Sequence, residues 1–228
     1  KGNKELIMTV RYQDNEVTDN YFSLLWITSA AVPSYLNDYA KSIIFPIGGQ
    51  GGMIVPSEVF RKQYFPDDTR KAATFYEIFV DNDPDKDYFT SLVVKCPGLV
   101  QSGTRKFLDD VVIYRYADIL LMIAEAKNAL GQDPSAEINQ VRARAYGENY
   151  SGHLFVNGSK QNNDDGILKE RLLELAFEGK RWWDLVRFNK AFDLVPSLTD
   201  DKGKDYMLLY PISNSILSKE PKVKQNPG

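Results

Sequence analysis

A chain of 228 residues, 43% hydrophobic and 12% aromatic, can fill a sizeable core, which excludes an intrinsically disordered chain. Its 28 Lys and Arg against 31 Asp and Glu leave a net charge of -3, and no basic block is dense enough to track a phosphate backbone, so nucleic acid is excluded as the partner. The one cysteine, Cys96, excludes an internal disulfide and any CxxC metal or redox site, and no run approaches the roughly 20 apolar residues that cross a bilayer.

The chain opens on Lys1-Gly2-Asn3-Lys4, which is not the start of a signal peptide, so a fragment of a longer, exported protein is expected. Residues 6–12 predict a strand with Met8, Val10 and Tyr12 on one face and a turn at Asp14-Asn15. Residues 20–55 mix aromatics with breaking residues and end in the glycine cluster Gly48-Gly49-Gln50-Gly51-Gly52, predicting long loops with one or two short helices. That cluster lacks the Lys-Ser/Thr continuation of a phosphate-binding loop and reads as a turn. Ser57 caps a short helix expected to reach about Tyr64. Residues 74–80 and 88–94 are β-prone runs around a turn-forming stretch, predicting a hairpin. The alternating Asp81, Asp83, Asp85 and Asp87 imitate a calcium loop, but Lys86 stands where its glycine belongs and Leu92 where its final Glu belongs.

From residue 110 the period becomes helical. Asp110 is the expected N-cap of a helix running to Leu130, with Gly131 as its stop. Asp133-Pro134 starts a second helix that turns Ile138, Val141 and Ala145 inward and ends at Gly147. The short linker makes these two helices antiparallel neighbours, and such a pair buries its faces only against further helices, so an exposed apolar face is expected on it. Residues 148–166 read as a polar, exposed insertion, and a third helix is expected from near Ile167 to Gly179, broken there before Trp182-Trp183. The remainder, with a helical turn near Ser215, is mostly irregular. The expected organisation is thus a loop-rich part at 1–109, a helical part at 110–190 and an irregular segment at 191–228.

Three runs carry a resemblance. Tyr114-Arg115-Tyr116-Ala117-Asp118 with Ala124-Glu125-Ala126, then Gly131 and Asn139-Gln140-Val141-Arg142-Ala143-Arg144-Ala145, then Glu170-Arg171 with Glu174-Leu175-Ala176-Phe177-Glu178-Gly179 and Asp184-Leu185-Val186-Arg187, resemble in order the signature of the SusD/RagB family. Asp68, Arg70 and the ending Gln225-Asn226-Pro227-Gly228 are similar to weaker landmarks of its C-terminal domain. The resemblance implies a mainly α fold with a tetratricopeptide-like helical repeat element, long irregular loops and small β-hairpins, the N-terminal half of the family fold being absent. It implies a cell-surface, outer-membrane lipoprotein that binds oligosaccharide or peptide nutrients for a SusC/RagA-like TonB-dependent transporter, with its lipid anchor in the missing half. No catalysis, cofactor or metal is implied; a tetratricopeptide-type scaffold and a hydrolase are the rival readings.

Among candidate sites, the charged stripe Glu170, Arg171, Glu174, Glu178, Arg181, Asp184 and Arg187 suits ion pairing within and between helices better than paired-carboxylate catalysis. His153, the one histidine, and Cys96 have no evident catalytic partners. Trp182 and Trp183 are expected to pack. The functional expectation falls on the aromatic loops, where at least one of Trp26, Tyr35 and Tyr39 lines a ligand cleft, because a flat aromatic face suits a sugar ring or a peptide side chain.

Overall fold

The computed structural model describes residues 3–14, 21–48, 52 and 54–226. The turn expected at Asp14-Asn15 and the glycine cluster lie partly outside these residues. The chain divides into two compact units, residues 1–178 and 179–228.

In the first unit, β1 (Leu6–Val10) finds its partner about a hundred residues later. Next along the chain are α1 (Asp38–Ile44), capped by the Asn37 side chain accepting from Ala40 N at 2.8 Å, and α2 (Glu58–Arg61), capped by Ser57. The helix α3 (Arg70–Thr74) runs directly into β2 (Phe75–Phe79), which pairs antiparallel with β3 (Tyr88–Val93) as the expected hairpin. A second hairpin, β4 (Leu99–Gln101) with β5 (Thr104–Lys106), was not expected. It turns on Ser102 and Gly103, whose φ values of 51° and 75° suit the twist of a two-residue hairpin turn.

The strand β6 (Val111–Arg115) pairs antiparallel with β1, Leu6 opposite Arg115 and Val10 opposite Val111. This corrects the expectation of a helix from Asp110. The run Val111-Val112-Ile113-Tyr114 is β-branched and aromatic, suits a pleated surface, and has β1 to complete its ladder. The helix α4 (Tyr116–Ala129) therefore starts six residues late, and α5 (Ser135–Tyr146) follows as expected, with the Asp133 side chain accepting from Ser135 N. A second correction concerns the polar insertion. Its last third is already helix, because α6 (Lys160–Glu174) begins at the Ser159 cap, whose Oγ accepts from Asn162 N. The same helix stops at Glu174, short of Gly179, and Phe177 and Gly179 turn the chain at φ 62° and 74°.

Among the described residues, two apolar clusters help to hold this unit. One joins Trp26, Leu36, Ile44, Ile78, Leu92 and Phe107 across the loops and hairpins. The other sets Tyr64 and Phe75 against Leu173 of α6, where the Tyr64 hydroxyl donates to the Leu173 carbonyl at 2.9 Å. The helix α4 packs on both α5 and α6, burying Leu121, Ala124, Ile138, Val141 and Ile167. Its other side leaves Tyr116, Met122, Ile123 and Leu130 exposed, as expected of an incompletely covered repeat.

The second unit contains α7 (Arg181–Arg187), α8 (Ala191–Leu194) and α9 (Asn214–Lys219). Gln225 ties down its end. The Gln225 side-chain amide accepts from Ile212 N at 2.9 Å and donates to Ile212 O at 2.8 Å, while Asn226 Nδ2 donates to Tyr210 O. The architecture is mainly α, with short hairpins and a tetratricopeptide-like helix pair. Among the described residues no helix is long and apolar enough to cross a membrane.

Candidate functional site

The α1 helix and the β2–β3 hairpin frame a cleft of about 440 Å3. Asn37 caps α1, and Tyr39 in its first turn is 66% exposed. Opposite it Tyr76 stands on β2, the two rings meeting edge to face with centroids 5.9 Å apart. Trp26 forms the buried back of the cleft at 1% exposure; its indole N–H donates to the Ile44 carbonyl at 3.2 Å and its ring meets Phe107. Arg105 of β5 lays its guanidinium 4.1 Å from the centre of the Trp26 ring.

Trp26 and Tyr39 thus meet at one cleft. Tyr35 does not line it; its half-buried ring packs edge-on against Phe89, and its hydroxyl has no hydrogen-bond partner among the described residues. Sequence reasoning missed Tyr76 and Arg105. Tyr76 was visible only as a strand residue, and the one local sign of Arg105's hairpin was the Ser102-Gly103 turn.

A second cavity of about 460 Å3 shares Ala72, Phe75 and Tyr76 with the first, so Tyr76 borders both. Here Glu77 accepts from Arg61 at 2.6 Å and from Lys71 at 2.8 Å. Burial pushes the Glu77 carboxyl up, but Lys71 and Arg61 outweigh it and hold the group below its ordinary range. Asp67, on the same wall, meets His153 Nε2 at 2.8 Å, and His153 stacks on Tyr146 with 3.8 Å between ring centres. That bond is the main reason the Asp67 carboxyl lies below its usual range.

A third cavity of about 390 Å3 opens onto the charged stripe. Glu170 joins Arg70 at 2.6 Å and Arg142 at 2.8 Å; Glu174 joins Arg115 at 2.6 Å, Arg70 and Arg144; Glu178 joins Arg115 at 2.9 Å and Lys95 at 2.6 Å. Asp68 completes Arg70's shell at 2.7 Å, and Arg171 meets Asp118 at 2.9 Å. These partners lie far apart in sequence, so the stripe binds separate elements together more than it pairs along its own helix. Burial pushes the Glu174 carboxyl up, yet Arg115, Arg144 and Arg70 overcome that and bring it to about 2. A carboxyl gripped by three guanidiniums suits a structural ion cluster better than the proton-holding acid of glycoside hydrolysis. Burial also pushes the Cys96 thiol up to about 12, which leaves it a poor nucleophile at neutral pH. Among the described residues no group of His, Cys, Asp and Glu is arranged to hold a metal ion.

Comparison with known proteins identifies the scaffold. A family model described as the SusD family matches residues 82–198, half of the chain. The chain belongs to the SusD family. SusD-like protein P38 of Formosa agariphila is 32% identical over 97% of this SusD family chain and 46% of its own length. The structure of B. fragilis NanU superposes with a TM-score of 0.76 at 32% identity, covering all of this chain and 51% of that one. Surface glycan-binding protein A from Bacteroides thetaiotaomicron, solved in complex with laminarihexaose, shares the fold at a TM-score of 0.65 and 23% identity, covering 97% of this chain and 52% of its own. This SusD family chain therefore spans about half the length of the relatives it matches.

Proposed function

We propose that the chain captures oligosaccharides in the cleft between Tyr39 and Tyr76, making and breaking no bonds, as part of a cell-surface nutrient-binding protein of an outer membrane. The observation that carries this is the exposed Tyr39 ring meeting the half-buried Tyr76 ring at a cleft backed by Trp26 and Arg105. A sugar ring offers an apolar face to aromatic carbon and hydroxyls to polar groups at its edge, and this wall supplies both. Family membership supports the same reading, and one protein of this fold holds laminarihexaose. Delivery to a SusC/RagA-like TonB-dependent transporter, and attachment by a lipid anchor outside these 228 residues, belong to the same proposal, as does assignment of the chain to the C-terminal part of the family fold.

Isothermal titration with an oligosaccharide panel tests it. A paired Tyr39→Ala and Tyr76→Ala substitution is expected to weaken binding roughly tenfold to a hundredfold, each ring contributing ~1 kcal/mol, in a chain that still folds cooperatively. Unchanged affinity in that variant would remove the cleft from the proposal. Preferred binding of peptides would replace the ligand class, and turnover of any saccharide would replace capture with hydrolysis.

A further inference from the structure

The charge of the cleft is uneven in a way that names its ligand. Of the side chains lining it, Arg105 alone is charged, and Arg105 is 8% exposed. A buried arginine ordinarily meets a carboxylate, because an isolated charge is costly to take from water. Arg61, Arg70, Arg115 and Arg171 follow that rule, with carboxylates at 2.6, 2.6, 2.6 and 2.9 Å. Arg105 does not. It donates to the carbonyls of Pro46 at 3.0 Å, Pro97 at 2.5 Å and Ile43 at 3.0 Å, with Phe45 at 3.4 Å, and no carboxylate lies within 4 Å of it among the described residues.

Carbonyl dipoles fix a guanidinium but do not cancel its charge, and an arginine side chain cannot shed its proton to escape the cost. Burial accordingly pulls Arg105 below its ordinary value, against the weak opposing field of Asp109, whose carboxylate is held by the Gly98 N–H at 2.7 Å. Arg70 and Arg115 are buried too, but their carboxylates overcome that effect and hold both above the ordinary value. The other two cavities offer no such charge. Lys71 in one, and Arg70, Lys95, Arg115 and Arg144 in the other, each have a carboxylate within 4 Å.

From this we infer that the saccharide taken by the Tyr39–Tyr76 cleft bears an anionic group, a carboxylate or a sulfate, which docks against Arg105. The inference rests on the capture reading given above and adds the ligand's chemical class. One face of the guanidinium lies on Trp26, and four of its five N–H groups reach carbonyls, which leaves it oriented before any ligand arrives. A ring seated between Tyr39 and Tyr76 brings an exocyclic anion to the one charge in the cleft that meets no carboxylate among the described residues.

The test uses the 228-residue chain on an array of neutral, uronate-bearing and sulfated oligosaccharides. The strongest anionic hit is then titrated beside its own neutralised form, carboxyl-reduced or desulfated. The anionic form is expected to bind tenfold or more tightly, as a charge-assisted contact gives; the advantage should shrink as salt is raised, and it should disappear in Arg105→Gln. Arg105 also ties several loops, so the salt series on the unaltered chain decides the matter if that variant does not fold. Equal affinity for the charged and neutral forms, or neutral hits only, overturns the anion assignment and leaves capture standing. A folded Arg105→Gln chain that keeps the preference overturns it as well. No binding to any member of the array removes capture and this inference together.

Discussion

Replacing Glu174 with Gln should be among the most damaging single changes that keep side-chain volume. Glu174 is 3% exposed, and its carboxylate accepts from Arg115 at 2.6 Å, from Arg144, and from Arg70 at 3.3 Å. Although burial alone would raise its pKa, Arg115, Arg144 and Arg70 bring it from the ordinary 4.5 to about 2. At ~1.4 kcal/mol per tenfold, that depression corresponds to about 3 kcal/mol of folding stability. Removing one member of a buried ion cluster costs about 3–5 kcal/mol by comparison with other proteins, so the two routes agree. The sign follows from the depression. A carboxylate bound more weakly by protons when folded adds stability above its unfolded pKa and loses it as acid is added. The gap between the parent chain and Glu174→Gln should therefore be full at neutral pH, narrow below pH 4.5, and close near pH 2. Urea unfolding followed by tryptophan fluorescence across that range measures it. A cost under about 1 kcal/mol at neutral pH, or a gap that acid leaves unchanged, would refute the electrostatic account.

Two further substitutions probe the polar features of the helical part. Asn163 is 2% exposed; its Nδ2 donates to Asn128 Oδ1 at 2.9 Å and Asn157 Oδ1 at 2.8 Å, and its Oδ1 accepts from Gly158 N at 2.9 Å. Asn163→Ala should cost about 2–3 kcal/mol by leaving those groups unpaired, and Asn163→Asp should cost more, since it turns a donor into an acceptor facing two acceptors; equal melting temperatures for the two variants would contradict this. Gly131 ends α4 at φ +71° with open space around its missing Cβ, so Gly131→Ala should cost about 1 kcal/mol through backbone strain alone, measured by chemical denaturation.

Where local chemistry decided the structure, the sequence was readable. Ser57 caps its helix, Gly131 and Gly147 stop theirs, and the 74–94 hairpin closes around its turn, because each depends on residues only a few positions apart. The errors fall where a distant partner decides. Val111 to Arg115 could join a helix or a strand by pattern alone, and it is Leu6 to Val10, across about a hundred residues, that selects the strand. The start of α6 was hidden by composition, since Lys160 to Asp165 looks like a solvated loop. Its Asn163 is nevertheless buried among the side chains of Asn128 and Asn157 and the backbone of Gly158, and Gly166 is needed because a Cβ there would come within 2.5 Å of Phe155. The candidate cleft was half legible for the same reason. Trp26 and Tyr39 are conspicuous among turns, whereas Tyr76 and Arg105 acquire their meaning from which loops fold onto them.

The ionic cluster and the cleft are mechanically one object. Arg70, the first residue of α3, is clamped by Asp68, Glu170 and Glu174, and Thr74 at the end of that helix donates its hydroxyl to the Arg70 carbonyl at 2.7 Å. The next residue, Phe75, begins β2 and packs on Leu173 of α6, and Tyr76 follows it into the cleft. A wall that must present an aromatic ring at a fixed angle cannot sit on a loose loop, since imprecision there is lost affinity. The buried charges contribute little to stability that a well-packed apolar core could not match. What they add is direction, because a planar guanidinium gripped by three carboxylates admits far fewer orientations than an aliphatic contact would. Glu170 and Glu174 are then part of the footing of the binding surface, and substitutions at them should lower ligand affinity through Tyr76 as well as stability.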